Sequence, residues 1–341
     1  MDNHPKTNII ILPLAELEIG QEADSFVLLA EKELLHTKDS KQFYKAVFRD
    51  TAKEIPTVPI WSDSPIFEEC KRNWTVGKFY KIRALLRSTP KYGQQLEIRR
   101  IREIMDGDKE DGFDPNLCRP ASKYKPEAMY NEILAIAKTH VGKGKLLNLI
   151  MRIFKENRNA IQESAAARHH HHAYAGGLLE HSLNVAKTAV ALADHYKASY
   201  PKLPVPFSKP LIVAGAILHD IGKIHELRND AVVSHHTTEG ELFGHALLGR
   251  DIVREHAIAV ELETPLRVHL EHIILSHQRF PDWGAMKPPM SLEAVLVHTA
   301  DSCDALFGSY LNVLLQDETP GDLTSAKNRL GHALFRGTVL D

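Results

Sequence analysis

Cysteine is scarce in this chain. Only Cys70, Cys118 and Cys303 occur in 341 residues, too few and too scattered for a disulfide framework or a thiolate zinc site. A reducing cytoplasm is the expected compartment. No run of about 18 apolar residues offers a bilayer span, and Met1-Asp-Asn-His-Pro-Lys6 lacks the basic-then-apolar order of a signal peptide. No membrane is therefore expected among the partners. An excess of one charge is missing too: 42 Lys+Arg against 44 Asp+Glu leave −2, so no global basic surplus advertises nucleic acid. With 43% hydrophobic and 25% charged residues, wholesale disorder and fibrous repeats are excluded. The length fits two domains.

Histidine is what the chain has in quantity. Of 20 histidines, 16 lie between His169 and His298. Imidazole is the commonest metal ligand, so this stretch is where the chemistry is expected.

The first 110 residues read as β structure. Apolar runs at 9–14, 25–30, 43–49, 58–61, 78–86 and 95–101 alternate with turn signals at 37–40 and 89–93. Five or six strands in so short a span suggest a small closed barrel rather than a sandwich. Residues 107–125 are polar and rich in Pro and Gly, the composition of a linker. Beyond it the periodicity is helical, over 129–139, 145–157, 177–200, 210–218, 238–260, 265–276 and 292–315. Thr238-Glu-Gly-Glu241 has capping-box form. The end of the chain, 319–341, reads as a loose tail.

His219-Asp220 closes the apolar stretch 211–218. Adjacent residues do not share a face of a regular helix, but at a helix end the turning backbone lets both side chains converge on one ion. A lone His-Asp pair is more often a surface pair. That plain reading weakens once His181 on one helix and Asp301 inside another apolar helix are counted, because an isolated buried carboxylate is expensive.

A histidine on one helix, a His-Asp pair ending another and a distant helical aspartate resemble the signature of the HD-domain metal-dependent phosphohydrolases. The resemblance extends through His171-His-Ala-Tyr-Ala-Gly-Gly-Leu-Leu-Glu-His181, Leu218-His-Asp-Ile-Gly-Lys223, His236-Thr-Thr-Glu-Gly240 with Gly244-His245, Ile274-Leu-Ser-His277 and Ala300-Asp301, in that order. Together these are similar to the YhaM-type 3′-5′ exoribonucleases. The resemblance implies a multidomain α and β fold: an N-terminal OB-like β-barrel (8–106), the linker (107–125), an all-α HD domain (126–318) and the tail (319–341).

It also implies a site. His181, His219, Asp220, His245, His277 and Asp301 would hold two divalent metals, with Asp220 as bridge and catalytic centre. The nitrogen and oxygen donors suit manganese, iron, cobalt, nickel or zinc; the resemblance implies manganese. His272 competes with His277 as a ligand, and His245 could be a satisfied helix histidine. His256, His269 and His298 read as structural or surface residues. Lys223 would contact the phosphate as a point charge, or else be a solvated turn lysine. His171, His172 and Tyr174 would bind substrate, with His169 and His170 extending the loop. Asp304, one turn after Asp301, could orient a ligand.

From Lys71 to Arg102 ten basic residues face only Glu97, a local surplus able to hold a phosphate backbone. Arg99, Arg100, Tyr44 and Tyr92 are the expected nucleic-acid contacts, the rings by stacking; Phe48, Phe79 and Trp61 read as core. The leading expectation is a two-metal 3′-5′ exonuclease on single-stranded RNA that releases nucleoside 5′-monophosphates. No residue identifies a 2′-hydroxyl contact, so DNA stays open as a substrate, as does a homo-oligomer. The alternative is an HD-type nucleotide or cyclic-dinucleotide phosphohydrolase with a regulatory OB domain; a non-catalytic RNA-binding protein ranks third.

Overall fold

The structure is a computed structural model that describes residues 10–51, 53–89, 92–118, 122, 124–166, 174–205, 207–229, 234–317 and 319–337. The chain divides near residue 120 into a β unit and a helical unit.

The β unit contains β1 (Glu22–His36), β2 (Gln42–Arg49), β3 (Glu54–Pro56), β4 (Ile60–Trp61), α1 (Phe67–Asn73), β5 (Phe79–Thr89) and β6 (Gly93–Glu103). β1 is long enough for two partners: its first half pairs with β5 and its second half with β2, all antiparallel. The register slips between Leu29 and Glu31, a bulge that bends the strand around a closing sheet. β6 pairs with β5, and β3 and β4 with β2. The Val58 amide donates to the Leu96 carbonyl at 3.0 Å, so the chain after β3 meets β6 through a parallel bridge. With β3 and β4 counted as one interrupted strand, this is a five-stranded, partly open Greek-key barrel of OB type. Val27, Leu29, Phe48, Trp74, Tyr80, Ile82 and Leu96 fill it.

Two expectations change here. Residues 10–14 form no strand: Ile11 makes an isolated bridge to Asp24, and Pro13, which has no N–H for a ladder, leads into a 3-10 turn at Leu14–Glu16. The linker also starts later than its composition suggests. Phe113 and Cys118 pack against Leu28, with Phe26 and Phe79 beside them, and Asp108 accepts two 2.6 Å hydrogen bonds from Arg102. Residues up to 118 are thus part of the barrel's packing.

The helical unit contains α2 (Pro126–His140), α3 (Lys145–Glu156), α4 (Arg158–Glu163), α5 (Gly177–Ser199), α6 (Lys209–Leu218), α7 (Lys223–Glu226), a two-stranded ribbon of β7 (Leu227–Asn229) and β8 (Ser234–His236), α8 (Thr238–Ala259), α9 (Thr264–Ser276) and α10 (Leu292–Gln316). Every residue of α6 from Leu211 to Leu218 is buried. A helix apolar on all sides belongs in the middle of a bundle, and α2, α3, α5, α9 and α10 pack around it. Its C-terminus therefore delivers His219 and Asp220 into the interior. α8 is capped by Thr237, whose Oγ1 accepts from the Gly240 amide at 2.8 Å, one residue ahead of the expected Thr238. No helix among the described residues is long and apolar enough to cross a membrane.

Residues 322–337 are not a loose tail. The Thr324 amide donates to the Leu334 carbonyl at 2.9 Å, Leu334 is buried, and Arg336 pairs with Asp317 at 2.6 Å. Arg329 donates to the Ser309 carbonyl on α10 at 3.1 Å.

Candidate metal centre

Five helices contribute to one buried cluster. His181 lies in the second turn of α5 and His219 is the C-cap of α6, with Asp220 after it. His245 lies in α8, His277 caps α9 and Asp301 lies in α10. α8 is broken at Gly244, whose φ of 71° and ψ of 158° are not helical; a side chain would strain that left-handed φ. The break frees the His245 amide, which donates to Glu226 Oε1 at 2.9 Å. Gly222 has an ordinary helical φ of −63°, so the turn itself does not demand glycine. Close approach does: a Cβ there would stand 2.0 Å from the His245 carbonyl oxygen and 2.4 Å from the Gly249 amide nitrogen.

Asp220 is the hub. Its Oδ2 lies 3.5 Å from His181 Nε2 and 3.7 Å from His219 Nε2, and Asp301 Oδ1 lies 3.2 Å and 3.8 Å from the same two nitrogens. Its Oδ1 lies 3.3 Å from His245 Nε2 and 3.5 Å from His277 Nε2. The two oxygens of one carboxylate thus face two separate pairs of imidazoles, and each pair with Asp220 forms a group spaced to hold an ion.

The imidazoles are held from behind. His181 Nδ1 donates to Asp304 Oδ2 at 2.8 Å, His219 Nδ1 to the Ala216 carbonyl at 2.8 Å, His245 Nδ1 to Glu226 Oε1 at 3.0 Å and His277 Nδ1 to the Ile274 carbonyl at 2.7 Å. In its neutral form, with Nδ1 protonated, each ring would turn an Nε2 lone pair inward, the tautomer that metal ligation uses.

Three observations show that the site fits cations. Asp220 Oδ1 is buried and accepts no hydrogen bond among the described residues, a costly state for a carboxylate oxygen. His181 Nε2 and His219 Nε2 face each other at 3.1 Å, where two lone pairs repel unless a cation or a proton lies by them. Finally, among the described residues the carboxylates of Asp220, Glu226, Asp301 and Asp304 gather around the imidazoles with Lys223 as the ammonium beside them, its Nζ 3.8 Å from both Asp220 Oδ2 and Glu226 Oε2. With neutral imidazoles those described residues carry an excess of negative charge, which divalent ions would offset.

Burial opposes ionisation throughout, yet the carboxylates stay charged. The Lys223 ammonium and the surrounding imidazoles hold Asp220 well below the usual range against that burial. His181 holds Asp301 at about 2, and His245 holds Glu226 at about 2, also against burial. Burial pushes His219 down to about 4 and, with Lys223, lowers His245. His181 and His277 move the other way: burial disfavours their charge, but Asp301 and Asp304 raise His181 to about 10, and Asp220 raises His277.

The six residues singled out in the sequence therefore come together. His272 lies outside the cluster; its Nε2 accepts from the Met290 amide at 3.0 Å. His256 bonds Glu156, and His269 bonds Ser291. Tyr174 is half-buried and its hydroxyl donates to Glu180 at 2.9 Å. His171 and His172, like His169 and His170, lie outside the described residues. Two residues were not anticipated: Glu226, and Gln278, whose amide nitrogen donates to His245 Nε2 at 3.0 Å. Glu226 stands one turn after Lys223, the only sequence signal it gave.

The barrel corrects more. Tyr44 is 8% exposed and belongs to the core, because β2 turns it inward beside Ala46 and Phe48; it is no stacking platform. Tyr92 is exposed. The basic strip is largely neutralised: Arg72, Lys78, Lys81, Arg83, Arg87, Arg99 and Arg102 all have carboxylate partners. Most of those carboxylates (Asp24, Glu68, Glu103, Asp108, Asp111) lie outside the strip in sequence, Glu68 one turn before Arg72 on α1 and the others brought to it by strand pairing and the packed linker. Arg99 pairs with Glu97 at 2.6 Å, whereas Arg100 is exposed, with no carboxylate partner among the described residues.

Comparison with known proteins agrees with this geometry. The HD domain family matches residues 178–306, and a TraI_2 helicase family matches 131–204. Two curated relatives, both named 3′-5′ exoribonuclease YhaM and both from Listeria monocytogenes serotype 4b (strains CLIP80459 and F2365), are 25% identical over 328 residues, 96% of this chain and 99% of each relative. Among solved structures, the second OB-fold domain of replication protein A from Methanococcus maripaludis is 14% identical with a TM-score of 0.22, covering 28% of this chain and 97% of that one. An Entamoeba histolytica asparaginyl-tRNA synthetase is 11% identical with a TM-score of 0.22, covering 44% and 36%; likenesses this slight do not bear on the fold. Within the helical unit residues 178–306 match the HD domain family, and the similarity to the two YhaM relatives extends over 96% of the chain.

Proposed function

We propose that this protein is a metal-dependent 3′-5′ exonuclease that shortens single-stranded RNA to nucleoside 5′-monophosphates. The observation that carries the reading is the division of Asp220, one oxygen to each pair of imidazoles. His181, His219 and Asp301 would hold one divalent ion, His245 and His277 the other, with Asp220 shared. Bound there, such a pair supplies Lewis acidity and a water of lowered pKa for in-line attack on phosphorus. The chain's own part is orientation. Asp304 and Glu226 fix the tautomers of His181 and His245, Lys223 offers a point charge to the phosphate, and the buried walls keep bulk water from competing with the ligands. Nitrogen and oxygen donors favour manganese over thiophilic ions. Three free cysteines, one of them exposed, support a reducing cytoplasmic setting.

The neutralised strip on the barrel gives the second reading, a nucleotide or cyclic-dinucleotide phosphohydrolase, its one specific support. The test is 5′-labelled single-stranded RNA, with a DNA arm, incubated with manganese and either wild type or Asp220→Ala. Stepwise shortening from the 3′ end by wild type alone is expected. Intact RNA alongside hydrolysis of small nucleotides would favour the second reading, and equal activity of the two proteins would remove Asp220 from the chemistry.

A further inference from the structure

Beside the metal centre lies a concavity of about 630 Å³, the size that receives a small ligand. Two of its lining segments adjoin residues of the centre in sequence. On one side, Gln278 reaches His245 while the next residue, Arg279, lines the cavity. On the other, Asp301 belongs to the metal cluster while its neighbour Ser302 lines the cavity with His298. The two sites are neighbours in space as well as in sequence, since His298 in the cavity lining donates to the backbone carbonyl of His277 in the metal cluster at 2.6 Å.

The lining mixes two chemistries. Pro288, Pro289 and Leu306 give it apolar surface. Arg279, His298 and Ser302 give it polar groups. His298 Nδ1 donates to the carbonyl of His277 at 2.6 Å, which fixes the ring to the backbone of a metal-centre residue and leaves Nε2 without a partner among the described residues. Arg279 is exposed, has no carboxylate partner among the described residues, and lies over the Phe280 ring at 4.9 Å. Its backbone is left-handed, with φ of 66°. A non-glycine residue in that region carries strain that the surroundings must sustain. A guanidinium with no carboxylate partner among the described residues, a fixed imidazole and the Ser302 hydroxyl 3.4 Å from that ring, beside apolar surface, suit an anionic group joined to a ring.

We infer that this cavity is a nucleotide subsite, in which Arg279 and His298 bind the phosphate and sugar of a nucleotide adjoining the scissile phosphodiester, and Pro288, Pro289 and Leu306 pack against its base. The inference rests on the exonuclease reading and assigns the residues that place its substrate.

Cys303 supplies the test, because it lines the cavity and is exposed while Cys70 and Cys118 are buried. The full chain, loaded with manganese, is treated with N-ethylmaleimide with and without a phosphorothioate-linked oligonucleotide that resists hydrolysis, and labelling of each cysteine is read by mass. The oligonucleotide is expected to slow labelling of Cys303 about tenfold at near-saturation. Arg279→Gly, which removes the guanidinium and relieves the left-handed backbone, is expected to abolish that protection and raise KM for RNA about tenfold, the loss of one charge-assisted contact, with kcat nearly unchanged. Arg279→Lys should restore part of the protection, since it keeps the charge without the planar fork. Unchanged labelling of Cys303 while wild type still shortens RNA from the 3′ end would overturn the subsite and leave the exonuclease reading standing. Protection without any shortening would keep the subsite and sink the exonuclease reading. Protection that depends on protein concentration, with no oligonucleotide present, would assign this face to a second copy of the chain and overturn the inference. Labelling of Cys70 or Cys118 reports unfolding, so a misfolded variant is recognised and replaced by the Lys variant.

Discussion

Asp304 touches no proposed ion, yet it should control how well one is held. Its Oδ2 accepts from His181 Nδ1 at 2.8 Å, and the two side chains are 11% and 2% exposed. In Asp304→Ala the buried Nδ1–H loses its acceptor, which costs about 1–3 kcal/mol, and the ring is free to turn its lone pair away. Carboxylates behind metal-bound histidines typically contribute 10- to 100-fold in metal affinity or activity, about 1.4–2.8 kcal/mol at tenfold per 1.4 kcal/mol. Asp304→Asn keeps an acceptor oxygen and should fall between wild type and Ala. The assay is calorimetric titration of the metal-free protein with manganese, alongside the thermal midpoint with and without metal. A ligand at 100 times its Kd stabilises by about 2.7 kcal/mol, so a hundredfold loss of affinity should remove most of that increment at the same concentration. Unchanged affinity in Asp304→Ala, with His181→Ala equally silent, would refute the idea that α5 contributes a ligand.

Further outcomes follow from the fold. Gly222→Ala places a Cβ against backbone of α8 on two sides; we expect a loss of about 3 kcal/mol or more, read by urea denaturation, and a neutral result would mean that α7 and α8 sit further apart. Asp108 is held at about 2 by the Arg102 guanidinium. Because that value lies below the carboxyl's ordinary one, its contribution is complete above pH 4 and fades as pH falls toward 2. Asp108→Asn should flatten the stability profile in that window, and identical acid limbs would contradict the pairing. Arg100→Ala should reduce the salt slope of RNA binding by about one, while Arg99→Ala, whose charge already meets Glu97, should change it less; the reverse order would place the strand on another face. Tyr44→Ala should cost about 3 kcal/mol of barrel stability rather than a stacking contact, which denaturation and RNA binding measured together would separate.

How much of this was legible in the sequence depends on the kind of signal. The ligands were legible because imidazole and carboxylate inside apolar helices have few other uses: His219-Asp220 at the end of an all-apolar helix, and Asp301 within another, already implied a buried partner. The long helices were legible from periodicity, and their ends fall within a residue or two of the structure except at the start of α2, three residues ahead of the expected one at Pro126. Asp304 was visible one turn beyond Asp301. Glu226 and Gln278 were not, since each acts on His245 across a gap of many residues that spacing does not encode. The barrel was misread where charge was counted along the chain, because antiparallel pairing sets Asp24 beside Arg83 and the packed linker sets Asp108 beside Arg102. Tyr44 was misread for a related reason: an aromatic on a strand faces either in or out, and β2 register decides which. The glycine of the His-Asp-Ile-Gly turn is required by the close passage of α8, which no local pattern reveals.

The most direct measurement is a crystal structure of the protein grown with manganese, with anomalous scattering used to locate the ions. We predict two peaks about 3.5–4 Å apart, one on each side of Asp220, with His181, His219 and Asp301 around the first and His245 and His277 around the second. Density showing the imidazoles of His181 and His219 joined by hydrogen bonds alone, with the ions elsewhere on the molecule, would contradict it.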